Sequence, residues 1–164
     1  MSGVSWTFSS SHAYIHSVGL RSGFATPVGS IVLAARDGIV RELSMSSNHF
    51  SRDLDLAPDK VADYVAFVTN WISLEHDDGL QTVYAHLMSE SQRVERGQRV
   101  HAGQILARTG LSGWMGDIDN LHFHVQEWQL PAEHGGRGRT ATVRFFLNGY
   151  KGPLEHGELF PQNK

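Results

Sequence analysis

Apolar residues concentrate in several short segments bounded by turn residues, and they alternate strongly with polar residues in the last of these; this pattern predicts β-strands. The segments are Ile31–Arg36, Ile39–Met45, Trp71–Glu75, Leu80–Leu87 and Leu121–Trp128. The dipeptide Asp37-Gly38 and the residues 76–79 (HDDG) have turn composition, so each predicts a hairpin between the strands that flank it. Gly97, Gly103 and Gly110 divide residues 94–110, which predicts short strands with tight corners.

One stretch has a helical period instead. Valine and tyrosine recur at positions 61, 64, 65 and 68, which is the i, i+3, i+4, i+7 spacing of an amphipathic helix. No linker long enough to separate two domains interrupts the chain. We therefore predict one domain over residues 1–164, all-β, with a mainly antiparallel sheet and one short helix.

The amino-acid composition excludes or disfavours several kinds of site and partner. The 164 residues include no cysteine, which excludes disulfides, a thiolate nucleophile and a thiolate metal site. A net charge of −3 argues against nonspecific nucleic-acid binding. No apolar run predicts a membrane span, and the first residues lack the basic start and apolar region of a signal peptide. The 10 histidines direct attention to metal or acid–base chemistry.

The segment Leu121–Val125 (LHFHV) carries the most informative pattern. Alternate side chains of a strand share a face, so its apolar residues are assigned to the core, and Asn120, His122 and His124 to the opposite face. Two imidazoles at this spacing can reach one metal ion or one substrate. They are equally compatible with a solvated polar face.

His86, in the segment YAHL, is expected at the end of a strand and on the same face as Tyr84. A single histidine in such a position is commonly a surface residue. Together with the histidines of 121–125 it becomes a candidate site residue.

Four segments then occur in a particular order: PVGSIVLAARDGIV (27–40), LEHDDGLQTVYAHL (74–87), VERGQRVHAGQILARTG (94–110) and NLHFHV (120–125). Together they resemble the lysostaphin-type (LytM-like) zinc metalloendopeptidases, which cleave peptide cross-links of bacterial peptidoglycan. The resemblance covers about residues 24–128. It implies a compact antiparallel β-domain with a substrate groove over the sheet, and a location in the periplasm or outside the cell.

The resemblance also implies a site. In that family zinc is held by an H-x-x-x-D motif and by the second histidine of an H-x-H motif, while its first histidine and that of the Y-x-H-L segment act as acid–base groups. His86 and the metal-binding His122 are present here, but Asn120 replaces the first histidine of H-x-H. The positions of the first-motif histidine and aspartate fall on Gly19 and Gly23. The chain therefore resembles a degenerate member.

No shift of register restores the carboxylate ligand, because the first acidic residue of the chain is Asp37, in the turn. His12 and His16 lie upstream and offer imidazoles instead. A zinc site of His16, His122 and His124, or of His12 with the same pair, and water as the fourth ligand, is one alternative.

A second alternative concerns the register of the motif. His122-Phe123-His124 could itself be the H-x-H pair, which would make His124 the ligand. That assignment puts Glu127 on the core face, so we favour the first register. Both registers use the same face of the strand.

Two functions remain open. The first is a degenerate domain that binds cell-wall peptide, or activates a partner cell-wall hydrolase, with weak or no hydrolysis. The second is an active zinc endopeptidase with ligands rebuilt from His16 or His12. In either case we expect Tyr84 and Trp114 to line the groove, although Trp114 could equally cover the edge of the core. A biotinyl-type carrier domain is disfavoured, because no lysine lies at a hairpin tip.

Overall fold

The structure of the protein is a computed structural model. It describes residues 14–18, 21–51, 68–115, 119–127, 145–147 and 150–152. Thirteen strands lie within these ranges. They are Tyr14–Val18 (β1), Arg21–Ala25 (β2), Ile31–Leu33 (β3), Gly38–Ser44 (β4), Phe50–Ser51 (β5), Trp71–Glu75 (β6), Leu80–Ala85 (β7), Arg99–Val100 (β8), Ile105–Arg108 (β9), Gly113–Trp114 (β10), Asn120–Glu127 (β11), Phe145–Leu147 (β12) and Tyr150–Gly152 (β13).

Seven of these strands form the main sheet, in the order β1-β2-β11-β7-β6-β4-β8. Every pair in it is antiparallel, and β11 lies between β2 and β7. The predicted mainly antiparallel all-β fold is therefore confirmed. The predicted helix falls outside the described residues, apart from its last position. None of the helical structure in the described part of the chain is long and apolar enough to cross a membrane.

A small antiparallel sheet of β3 and β9 contributes residues to the same core as the main sheet. Val32 and Leu106 from the small sheet are buried together with Ile72, Tyr84 and Phe123 from the main sheet. The Tyr84 and Phe123 rings lie 5.2 Å apart, in the tilted arrangement that aromatic pairs favour. One face of β11 is thus fixed on the core, which leaves its other face for the site.

The hairpin predicted at 76–79 is confirmed, since β6 and β7 pair around this turn and Gly79 has a φ of +78°. The hairpin predicted at Asp37-Gly38 is wrong. There β3 pairs with β9, whereas β4 pairs with β6 and β8, so the dipeptide joins two sheets. A Cβ on Gly38 would lie 2.6 Å from the Glu75 carbonyl oxygen, so close packing accounts for this glycine.

Candidate functional site

The outer face of β11 carries the candidate site. Leu121, Phe123 and Val125 are buried in the core as predicted, while His122 and His124 are half-buried on the opposite face. The backbone of His122 pairs with Gly23 on β2 and with Ala85 on β7. Because glycine and alanine are the two smallest residues, no large side chain flanks the His122 imidazole on either neighbouring strand.

His86 approaches this face from the end of β7. It has a φ of +64°, a left-handed conformation that residues other than glycine rarely adopt and that is often found at functional sites. Its ring lies edge-on to that of His122, with the ring centroids 5.9 Å apart. The predicted pairing of His86 with Tyr84 on one face is wrong, since the left-handed turn takes His86 out of the strand alternation.

Hydrogen bonding and burial fix the protonation of His86. Its Nδ1 lies 2.8 Å from the carbonyl oxygen of Ser112, which can only accept, so Nδ1 carries the proton. Burial lowers the pKa of His86, although the Ser112 contact opposes the shift. The neutral ring then keeps Nε2 as an acceptor, and that atom can receive a hydrogen bond from a peptide N–H.

A series of side-chain hydrogen bonds runs along the outer face of β11. His122 Nε2 lies 3.1 Å from His124 Nδ1, His124 Nε2 lies 3.4 Å from Gln126 Oε1, and Gln126 Nε2 lies 3.3 Å from Gln81 Oε1. An amide oxygen only accepts, so a neutral His124 donates through Nε2 and accepts at Nδ1. His122 therefore donates through Nε2. Gln81 is buried, and its Nε2 makes no hydrogen bond within the described ranges.

Asn70 and Ser112 hold the His86 loop in place, and sequence reasoning missed both. The fully buried Asn70 side chain accepts from Ser47 N and donates to the carbonyls of Ser47 and Leu87. Ser112 Oγ accepts from Asn70 N and donates to the Leu87 carbonyl. The only sequence signal was a polar residue next to the apolar strand 71–75, a pattern too common to single out Asn70.

The two residues predicted to line the groove, Trp114 and Tyr84, lie in different environments. Trp114, on β10, is 42% exposed and follows Ser112 by two residues, so it is placed beside the loop that holds His86. Tyr84 is fully buried, and its Oη accepts from Ala35 N at 2.8 Å. Burial raises the pKa of Tyr84 to about 12. The assignment of Tyr84 to the groove is therefore wrong: it is a core residue.

The other candidates differ in position. Asn120 is half-buried at the start of β11, and its Nδ2 lies 3.5 Å from the Met115 carbonyl oxygen. The backbone of His16 pairs with Gly23, which pairs in turn with His122, so these three residues share one row of the sheet. His12 and Gly19 lie outside the described residues.

Comparison with protein families identifies the chain. The model of peptidase family M23 matches residues 22–135, which is more than half of the sequence. The chain belongs to peptidase family M23. The M23 match begins within β2 and includes β11, so it spans the strands that carry the candidate site.

Solved structures agree with this M23 fold. A variant of the catalytic domain of the prophage-encoded M23 protein EnpA from Enterococcus faecalis is 21% identical, with a TM-score of 0.56 over 85% of this chain and 94% of that one. A zinc-containing peptidase from Vibrio cholerae is 24% identical, with a TM-score of 0.53 over 73% and 35%. Lysostaphin is 23% identical, with a TM-score of 0.50 over 76% and 40%. The chain thus spans less than half of the last two proteins.

M23 peptidases depend on zinc, so the donor set of this chain has to be compared with that requirement. Within the described ranges, no three histidine, aspartate or glutamate side chains are grouped so that they could hold a metal ion. Gly23, which pairs with His122, offers no side-chain donor. The described residues do not fit a three-ligand zinc site.

Proposed function

We propose that this M23 domain binds bacterial cell-wall peptide on the outer face of β11 and hydrolyses it weakly or not at all. The observation that carries the proposal is the pairing of Gly23 with His122 across β2 and β11. By the family resemblance, Gly23 occupies the position of the carboxylate ligand. A glycine there supplies no carboxylate from this position, and loss of one ligand of three removes most of the metal affinity.

Asn120 supports the same conclusion. It lies two residues before His122 on the same face, where the resemblance expects an acid–base histidine. An amide donates and accepts hydrogen bonds but takes up no proton at neutral pH. The substitution therefore retains a group that can bind a peptide and removes one that can catalyse its hydrolysis.

The remaining groups suit a peptide ligand. His86 Nε2 can accept from a peptide N–H, and the Asn120 side chain can pair with a second peptide group. Gly23 and Ala85 place no large side chain beside His122 in its own row of the sheet. The half-exposed indole of Trp114, two residues after the Ser112 that contacts His86, offers an apolar surface.

Partners and location follow from the same proposal. We infer that the ligand is peptidoglycan, through its stem or cross-link peptide, and that the domain works in the periplasm or outside the cell. A cell-wall hydrolase that is activated by the domain is the alternative partner.

One observation favours a second candidate function, an active endopeptidase with a rebuilt zinc site. His16, Gly23 and His122 share one row, so the backbones of the two histidines are two strands, or about 10 Å, apart. The residue between them is a glycine. A site rebuilt from His16, or from His12, would use this arrangement.

Binding is tested by co-sedimentation of the purified protein with insoluble peptidoglycan. The wild type should sediment with the polymer, while His122→Ala and Trp114→Ala should remain largely in the supernatant. His101→Ala is the matched control, because His101 is an exposed histidine in a turn outside the candidate site. Equal sedimentation of His122→Ala and His101→Ala would contradict the assigned face.

Zinc analysis separates the two functions. Elemental analysis is made on the wild type, His122→Ala and His16→Ala after equilibration with zinc and removal of the excess. The proposed function predicts less than one tightly held zinc per chain and no release of peptide from peptidoglycan. One zinc per wild-type chain, lost in both variants and accompanied by hydrolysis, would establish the rebuilt peptidase instead.

A further inference from the structure

A second concave site lies at the edge of the main sheet, next to β4. The strand β8 pairs only with Gly38 and Ile39, so the later part of β4 has no β8 partner. The chain segment 92–96 runs past this part of β4 instead, and a cavity of about 460 Å³ opens between them. Its volume is within the range of small-ligand sites. It is lined by Glu42, Leu43, Trp71, Gln92, Val94, Glu95 and Arg96.

The cavity lining is partly apolar and carries a net negative charge. The half-buried Trp71 indole, together with Leu43 and Val94, can cover an aliphatic chain. Two carboxylates and one guanidinium line the cavity, so its formal net charge is −1. A ligand with one positive charge complements this lining, and a positive group over an indole face gains cation–π attraction.

Gln92 adds a polar amide to the lining, and its Oε1 is buried rather than exposed to the cavity. An ammonium group has three N–H donors, enough for both carboxylates.

We propose that this cavity, the β4-edge site, binds a primary ammonium group at the end of an aliphatic chain, as in the side chain of a lysine within a peptide. The site uses none of the histidines of the β11 face. The proposal therefore goes beyond the proposed function, and its test does not depend on that function.

The probe is Nα-acetyl-L-lysine amide, titrated into the ¹⁵N-labelled protein and followed by NMR. The expected result is saturable binding that shifts the indole N–H of Trp71 and the side-chain amide of Gln92. Nα-acetyl-L-norleucine amide, which lacks the charge, should bind at least about fivefold more weakly. Added salt should weaken only the lysine probe, because its attraction to the carboxylates is screened.

Glu42→Gln with Glu95→Gln should reduce the affinity for the lysine probe about fivefold, since two partly exposed charge contacts are lost. Glu75→Gln is the matched control: this exposed carboxylate pairs with Arg41 and is not part of the cavity lining. It should leave the affinity unchanged. Equal binding of the two probes, shifts confined to residues outside the cavity, or the same loss in Glu75→Gln would each overturn the proposal.

Discussion

Two histidine environments in this protein differ in what surrounds the ring. His76 is only 3% exposed, and both its nitrogens are held by short contacts, Nδ1 to the Asp37 carbonyl oxygen at 2.7 Å and Nε2 to Thr82 Oγ1 at 2.9 Å. His122 and His124 are half-buried on an open face and contact each other. The first environment is built inside the fold, and the second keeps part of its surface exposed on the outer face of β11.

The His76 contacts have a definite direction. The Thr82 hydroxyl donates to His76 Nε2, and His76 Nδ1 donates to the Asp37 carbonyl. Separately, the Ala35 N–H donates to Tyr84 Oη. Ala35 and Asp37 both lie on the connection that crosses from β3 to β4, so His76 and Tyr84 tie this connection to the main sheet.

The largest effect is expected from His76→Leu. Leucine leaves the Asp37 carbonyl and the Thr82 hydroxyl without their buried partner, so the free energy of unfolding should fall by about 2–3 kcal/mol. Urea unfolding followed by circular dichroism measures this change. His101→Leu, at an exposed position, should change stability by no more than about 0.5 kcal/mol. Similar losses in the two variants would contradict the structural role of His76.

A pH experiment also tests the structural role of His76, with a smaller expected change in the free energy of unfolding. Burial lowers the pKa of His76 from 6.5, so the unfolded chain binds the proton more readily than the folded one. The contribution of His76 is therefore fully present above pH 6.5 and is lost as pH falls from there towards its folded pKa. The slope that one such group can add is at most about 1.4 kcal/mol per pH unit.

The measurement is the difference in unfolding free energy between the wild type and His76→Gln, from about pH 7.5 down to about pH 5. Glutamine can keep part of the hydrogen bonding but does not titrate, so the wild type should lose stability more steeply on acidification. Parallel curves would show that His76 does not carry the effect.

The sequence predicted β11 well because its pattern is local and its environment is simple. One face of a central strand must be apolar, so the alternation in Leu121–Val125 assigned every residue to the correct side. The crossover at Asp37-Gly38 could not be read in this way. The dipeptide has the composition of a hairpin turn, and its position is set by contacts remote in sequence, such as the Glu75 backbone and the Ala102 N–H, which donates to the Asp37 carboxylate.

The His86 environment shows a second limit of sequence reasoning. Alternation placed Tyr84 and His86 on one face, and the structure separates them because His86 adopts a left-handed backbone. That conformation is stabilised by tertiary contacts: the Gly110 N–H donates to the His86 carbonyl, and Ser112 accepts from its ring. A Cβ on Gly110 would lie 2.5 Å from Met88 N, so that contact depends on a glycine remote in sequence.

The smallest expected effect on stability completes the comparison. His122→Ala removes a half-buried ring from an open face and leaves the core side of β11 untouched, so the free energy of unfolding should change by no more than about 0.5–1 kcal/mol. The same variant should lose peptidoglycan binding. Urea unfolding and co-sedimentation on one preparation check both statements. A loss of stability as large as that of His76→Leu would show that the His122–His124 contact supports the fold, and any loss of binding would then follow from unfolding rather than from the missing imidazole.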